Sequence, residues 1–225
     1  MTKNERIFKL FSSNFECDDF RKNGPAKGFS CRYEKECNVN KNDQPIWSAA
    51  VGDENTSVMI VGEAPSKTGG LGPNIGGLFA NWKADKRSPV DLQRSFVQKY
   101  YHTTPYFTDL AKCGVARQRD KEALNRRKER CTEYLLVKEI QIIEPRIILC
   151  SGRISYSVLT EYQKGNKIDR SIQLVHLMHY SRQAGLPLSV EDKLEIVWKW
   201  QTGLISPDEI KKIPLSALSY FQRKL

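Results

Sequence analysis

Three histidines, His102, His176 and His179, are all that the 225 residues contain. Any chemistry that needs an imidazole must therefore fall on one of them. No apolar run approaches the roughly 20 residues that span a bilayer, so no membrane-spanning segment is expected. The N-terminal Met1-Thr2-Lys3-Asn4-Glu5 lacks the apolar core of a signal peptide. The expectation is a cytoplasmic protein, in a compartment that disfavours disulfides. Two nucleotide signatures are also missing. Lys67-Thr68 would complete a phosphate-binding P-loop only with glycines at 61 and 66, where Val61 and Ser66 stand. The dinucleotide fingerprint G-x-G-x-x-G does not follow the first apolar strand. No internal repeat and no linker divides the chain.

What is present is globular in character. A hydrophobic share of 40% and a charged share of 28% suit a folded core. The length suits one α/β domain with short extensions. We therefore expect one domain over 1–225, with a cysteine-bearing N-terminal extension (1–45) and C-terminal helices (189–225). Thirty-six basic against 26 acidic residues leave a net charge of +10, which favours a polyanionic partner, nucleic acid first. The basic residues cluster from Lys112 to Arg130 and recur at Arg182. Six cysteines occur, Cys17, Cys31, Cys37, Cys113, Cys131 and Cys150. In a reducing compartment they suggest metal or cluster ligation before disulfides.

Strand and helix signals alternate. Val58 to Val61, Tyr106 to Leu110, Arg146 to Gly152 and Ser171 to Met178 read as strands rich in apolar and β-branched residues. Helical spacing covers Asn4 to Phe15, Pro89 to Tyr101, Glu122 to Ile140 and Ile154 to Tyr162, and a helix is expected to begin at Leu78 to Trp82. Ser189-Val190-Glu191-Asp192 resembles a capping box for a helix to Trp200. Ser206-Pro207-Asp208-Glu209 caps a last helix. The predicted fold is α/β: a mostly parallel, four-stranded sheet flanked by helices in three layers.

The stretch Gly62-Glu63-Ala64-Pro65-Ser66, with the glycine-rich run Gly69 to Gly77, follows the first strand. Ligands bind at such carboxyl ends in open α/β sheets. Together with Tyr106-Phe107-Thr108-Asp109-Leu110-Ala111-Lys112-Cys113 and His179-Tyr180-Ser181, this stretch resembles the motifs of the uracil-DNA glycosylase superfamily. The similarity is greatest to the iron–sulfur (family 4) members, whose second motif reads Y-x-T-N-x-x-K-C. The three segments lie in the expected order, and Ile147 to Gly152 matches the intervening strand. The resemblance spans roughly Cys31 to Leu188.

It implies an enzyme that flips a base out of DNA and cleaves its N-glycosidic bond, leaving an abasic site. Charge then develops on the departing base, so a preorganised donor is the main aid. His179 is the candidate for that donor, and Glu63 the candidate to polarise water or hold the sugar side. In members that place water with Asp or Asn, that residue aligns with Ala64; the iron–sulfur members also carry Ala there. Gly62, Ala64, Pro65, Ser66, Asn74, Phe79, Phe107 and Asp109 are the expected base-binding residues. Asp109 stands where relatives have the Asn that reads uracil. A carboxylate only accepts hydrogen bonds, and the exocyclic amine of cytosine donates them. Asn74 falls where relatives have a stacking Phe, which leaves Phe79 or Phe107 for stacking. The many glycines leave room at C5 of the base. A modified cytosine, hydroxymethylated or glucosylated as in some phage genomes, becomes the favoured substrate. Uracil repair is the alternative, and a DNA-binding protein without catalysis is the rival from another class.

The resemblance also implies metal ligands. Cys113 and Cys131 match the last two cluster ligands, and Cys31 and Cys37 are the natural first pair, with Cys17 in reserve. Four thiolates suit a [4Fe–4S] cluster, with structural zinc as the alternative. Cys150 lies in an apolar strand and is read as core. The cluster would pin the N-terminal segment and a loop and helix displaying Arg117, Arg119, Arg126 and Arg127. Arg182-Gln183-Ala184-Gly185-Leu186 occupies the place of the loop that relatives push into the minor groove, with Arg182, Gln183 or Leu186 as the wedge; Ser181, Arg182 and Gln183 are expected DNA contacts. DNA is the expected partner, and a monomer the expected state.

Overall fold

The computed structural model describes residues 1–14, 37, 55–64, 89–112, 121–177 and 190–213. Four strands form one sheet: β1 (Val58–Gly62), β2 (Tyr106–Asp109), β3 (Ile147–Ser151) and β4 (Gln173–Leu177). Their order is β2-β1-β3-β4, and every neighbouring pair is parallel. Parallel neighbours need crossovers, and helices supply them among the described residues. The described helices are α1 (Lys3–Asn14) before β1; α2 (Pro89–Tyr101), α3 (Lys121–Cys131), α4 (Val137–Ile143) and α5 (Arg153–Lys164) in the crossovers; and α6 (Val190–Gln201) and α7 (Pro207–Lys212) after β4.

Alternation along the strands builds two cores, because successive side chains point to opposite faces. Met59, Val61, Tyr106, Ile148 and Cys150 face one side. There they pack with Ile7 and Phe11 of α1, Ile140 and Ile143 of α4 and Leu159 of α5. Val58, Ile60, Phe107, Leu149, Val175 and Leu177 face the other side, against Phe96 and Val97 of α2 and Trp198 of α6. The sheet is thus the middle of three layers. Trp198 ties the second helix layer together. Its ring meets Phe96 edge-on at 5.6 Å, and its Nε1–H donates to the Tyr101 hydroxyl at 2.6 Å.

The long helix expected from Glu122 to Ile140 runs further, from Lys121 to Ile143, and is not uniform. A π-helical turn, Thr132–Leu136, joins α3 to α4. The wider turn lets the consecutive residues Cys131 and Thr132 both be buried, which a regular helical stripe does not predict. The helix ends where Glu144 adopts a left-handed conformation (φ 54°) before Pro145. At the far end of the described chain, the Ser206 hydroxyl accepts from the Glu209 N–H, and the Glu209 carboxylate accepts from the Ser206 N–H. The expected capping box is present. The Ser189 cap and the helix expected at Leu78 to Trp82 lie outside the described residues. No helix among the described residues is long and apolar enough to cross a membrane.

Ile148 is fully buried in the central strand of the first core. Ile148→Ala is expected to lower unfolding stability by about 2–5 kcal/mol, measured as a lower denaturant midpoint with an unchanged slope.

Candidate active site

All four strands point their carboxyl ends the same way, so the segments that leave them gather at one edge of the sheet. Asp109 ends β2, Gly62 ends β1, Ser151 ends β3 and Leu177 ends β4. Gly62 and Asp109 are partners across the β1–β2 ladder. The pairing continues beyond the strands: Leu110 N–H donates to Gly62 O at 2.9 Å, and Ala111 N–H to Glu63 O at 3.0 Å. The two motifs are therefore zipped together along their backbones.

Glycine at 62 is required by a close approach. A β-carbon there would lie 2.1 Å from Asp109 Oδ1, which no relaxation of a few tenths of an ångström can accommodate. The Asp109 carboxyl lies against bare backbone. Burial pushes it up from 3.8 to about 7, the Lys112 ammonium pulls it down, and the Glu139 and Glu63 carboxylates push it up further. The sign for folding follows. The folded state holds this proton more tightly than the unfolded chain, so Asp109 costs stability increasingly between its ordinary value and about pH 7, and by a constant amount above that.

A buried polar cluster backs Asp109. Lys112 and Glu139 are 1% and 0% exposed and pair at 2.9 Å. The ammonium also donates to Asp109 O at 2.7 Å and to Thr108 Oγ1, and Thr108 donates to Glu139 Oε2 at 2.7 Å. All three ammonium donors are used, none on the Asp109 carboxyl. Burial and the Glu139 charge hold the Tyr106 hydroxyl well above its ordinary range. Glu63, half-buried, pairs with Lys128 of α3 at 3.0 Å. On the neighbouring strand Ser151 is buried and accepts from Gln93 Nε2 at 3.0 Å. Gly152 then turns with φ 100°, and its N–H donates to Leu177 O at 2.8 Å.

The family model of the uracil DNA glycosylase superfamily matches residues 49–200. The chain belongs to that superfamily. It is also 28% identical, over 127 residues, to a Type-4 uracil-DNA glycosylase of Archaeoglobus fulgidus. That match covers 56% of this chain and 56% of the relative, so the chain spans little more than half the length of the curated relative it matches.

The superfamily fold brings Gly62, Glu63, Ala64 and Asp109 to one place. Phe107 lies two residues before Asp109 on the second-core face, 5% exposed and packed among Phe96, Leu149 and Trp198. Its surroundings show core packing. Pro65, Ser66, Asn74, Phe79, Arg117, Arg119, His179, Ser181, Arg182 and Gln183 lie outside the described residues, as do Cys17, Cys31 and Cys113. Arg127 departs from expectation. It is 2% exposed rather than displayed, because it turns inward and donates Nε–H to the Cys37 carbonyl at 3.2 Å. Cys37 and Cys131 are both buried, and Arg127 stands one helical turn before Cys131. Burial raises the Cys131 thiol, while the Lys112 backbone amide and ammonium and the Arg127 guanidinium oppose that rise. Cys150 is fully buried in the sheet, its thiol pushed far up by burial.

Sequence reasoning passed over Lys128, Glu139, Gln93 and Ser151. Glu139 carried a readable signal: it is a lone carboxylate inside the apolar run from Leu135 to Ile143, and such a charge needs a partner. Lys128 was hidden within a basic helix.

Gly62→Ala is expected to fold, with a sheet spectrum like the parent's, while any activity the site supports falls by about 10²-fold or more through displacement of the Asp109 carboxyl. Equal loss of fold and activity would show a scaffold role for Gly62 instead.

Proposed function

We propose that the chain is a DNA glycosylase that flips out a modified cytosine and cleaves its N-glycosidic bond. The observation that carries this reading is Asp109. It ends β2 at the mouth of a superfamily fold, seated on Gly62, and among the described residues no cation is bonded to its carboxyl. In this reading it meets the Watson–Crick edge of an extruded base. The amine of cytosine has a hydrogen to offer there, and an oxygen acid accepts it. The glycine-rich run Gly69 to Gly77 is assigned the C5 side of the base, where a hydroxymethyl or glucosyl group would project. His179 follows Leu177 by two residues and is assigned the leaving base. Glu63, held by Lys128, is assigned the water or the sugar. Ser66, Asn74 and Phe79 are assigned the base pocket. The basic residues Arg117, Arg119 and Arg182, with Ser181 and Gln183, are assigned the DNA backbone and the vacated stack. Uracil is the second reading, favoured by the name of the archaeal relative.

A [4Fe–4S] cluster on Cys31, Cys37, Cys113 and Cys131 fits what the described residues show. Two of the four cysteines are buried, Arg127 bonds the Cys37 carbonyl and acts on the Cys131 thiol, and Cys131 faces the Lys112 amide, the residue next to Cys113. Among the described residues no group of three or more ligands is assembled, and two of the four cysteines lie outside them. When bound, the cluster would supply a covalent tie between the N-terminal segment and α3. Zinc is the alternative occupant.

Duplex and single-stranded DNA bearing uracil, cytosine, 5-hydroxymethylcytosine or its glucosylated form, followed by alkali, tests the substrate. Breaks at the modified cytosine are expected, breaks only at uracil would reject the modified-cytosine reading, and breaks at none would favour a binding module. Anaerobically purified protein should be brown, absorbing at about 400 nm with about four iron atoms per chain. Cys131→Ser should remove both colour and iron, whereas bound zinc in colourless protein would overturn the cluster.

A further inference from the structure

The base-reading residue has a proton of its own to give. We infer that Asp109 acts as a neutral carboxylic acid, its carbonyl oxygen accepting from the cytosine amine while its O–H donates to N3 and passes the proton there as the base departs. This deepens the proposed function and rests on it.

The cytosine edge shows a donor at the amine and an acceptor at N3. A carboxylate has acceptors only, so it satisfies the amine and repels N3. The neutral acid has one donor and one acceptor and matches both atoms. The surroundings favour the neutral form. One face of the carboxyl is closed by Gly62, whose α-carbon lies so near that no β-carbon fits. Three charged groups press on it: Lys112 beyond its own strand, Glu139 from α4 and Glu63 from the end of β1. Among the described residues the cation acting on it is Lys112, which directs its donors to Thr108, Glu139 and the Asp109 main-chain carbonyl. The carboxyl is therefore held up to about 7, where acid and carboxylate coexist.

The same proton addresses the chemical difficulty. The C1′–N1 bond breaks with its electron pair passing to the base. Cytosine departing as an anion is a poor leaving group. A proton moving from Asp109 to N3 lets the base leave neutral, and Asp109 becomes a carboxylate beside the Lys112 ammonium. Water adds to C1′ and releases its surplus proton to solvent, and Asp109 regains a proton from solvent. The balance closes without a further reactant. Uracil already carries hydrogen at N3, so its departure draws less on this acid.

Single-turnover excision from 5-hydroxymethylcytosine duplexes between about pH 5.5 and 9 reads the inference, with the rate expected to fall about tenfold per pH unit above the ionisation of Asp109. Asp109→Asn retains a donor but no transferable proton. It should lose the falling limb and about 10²–10⁴-fold in rate on this substrate, while keeping uracil excision. Glu139→Gln removes a neighbouring negative charge and should move the limb to lower pH. Glu63→Gln, on a half-exposed residue, does the same should the buried variant fail to fold. No excision from cytosine-type DNA at any pH would overturn the base reading and this inference together. Excision with a flat or rising profile, or a limb that survives in Asp109→Asn, would overturn the inference and leave the base reading standing.

Discussion

Lys112 and Glu139 are two opposite charges taken out of water together, and much of the candidate site hangs on their contact. Each would be costly to bury alone. Joined at 2.9 Å and completed by Thr108, they are satisfied on all three ammonium donors. The pair bolts the segment after β2 to the helix that follows the π-turn. Through the Asp109 main-chain oxygen it also fixes where β2 ends. Among the described residues, the second carboxylate oxygen of Glu139 and the Tyr106 hydroxyl have no hydrogen-bond partner. The Glu139 charge also raises the Asp109 carboxyl. A structural bolt and the acidity of Asp109 therefore share one residue.

The contact between Gly62 and Asp109 joins two of the three motifs at the strand ends. Parallel pairing puts the start of the first motif beside the middle of the second. Where the resemblance leads one to expect an amide, the carboxyl keeps the shape and changes the hydrogens. Glu63 and Lys128 add an ion pair at the rim that ties α3 to β1. With Arg127 reaching Cys37 from the same helix, α3 joins the strand ends to the cysteines. It is better described as a connector than as a displayed basic face.

Much of the fold could be read along the chain. Val58 to Val61 and Ile147 to Cys150 are continuous apolar runs, which only strands buried on both faces require, and Ser206-Pro207-Asp208-Glu209 spells out its own cap. The π-turn could not be read, because Thr132 to Leu136 has no residue type that demands it; packing of both Cys131 and Thr132 does. Arg127 was misplaced for a related reason. A basic run looks uniformly solvated in sequence, and only the position of Cys37 reveals which arginine turns inward.

Residue order by itself determined the alternation of strands and helices, the three motifs in their succession and the identity of Asp109 where an Asn is expected. These are local or periodic properties, written in hydrophobic spacing and in side-chain chemistry. The tertiary structure alone decided what Asp109 is in physical terms. Glu63, Gly62 and Glu139 lie 46, 47 and 30 residues away in sequence, yet they close around it. Proton affinity depends on the distances to those charges and on exclusion of water, and neither quantity exists until the chain has folded.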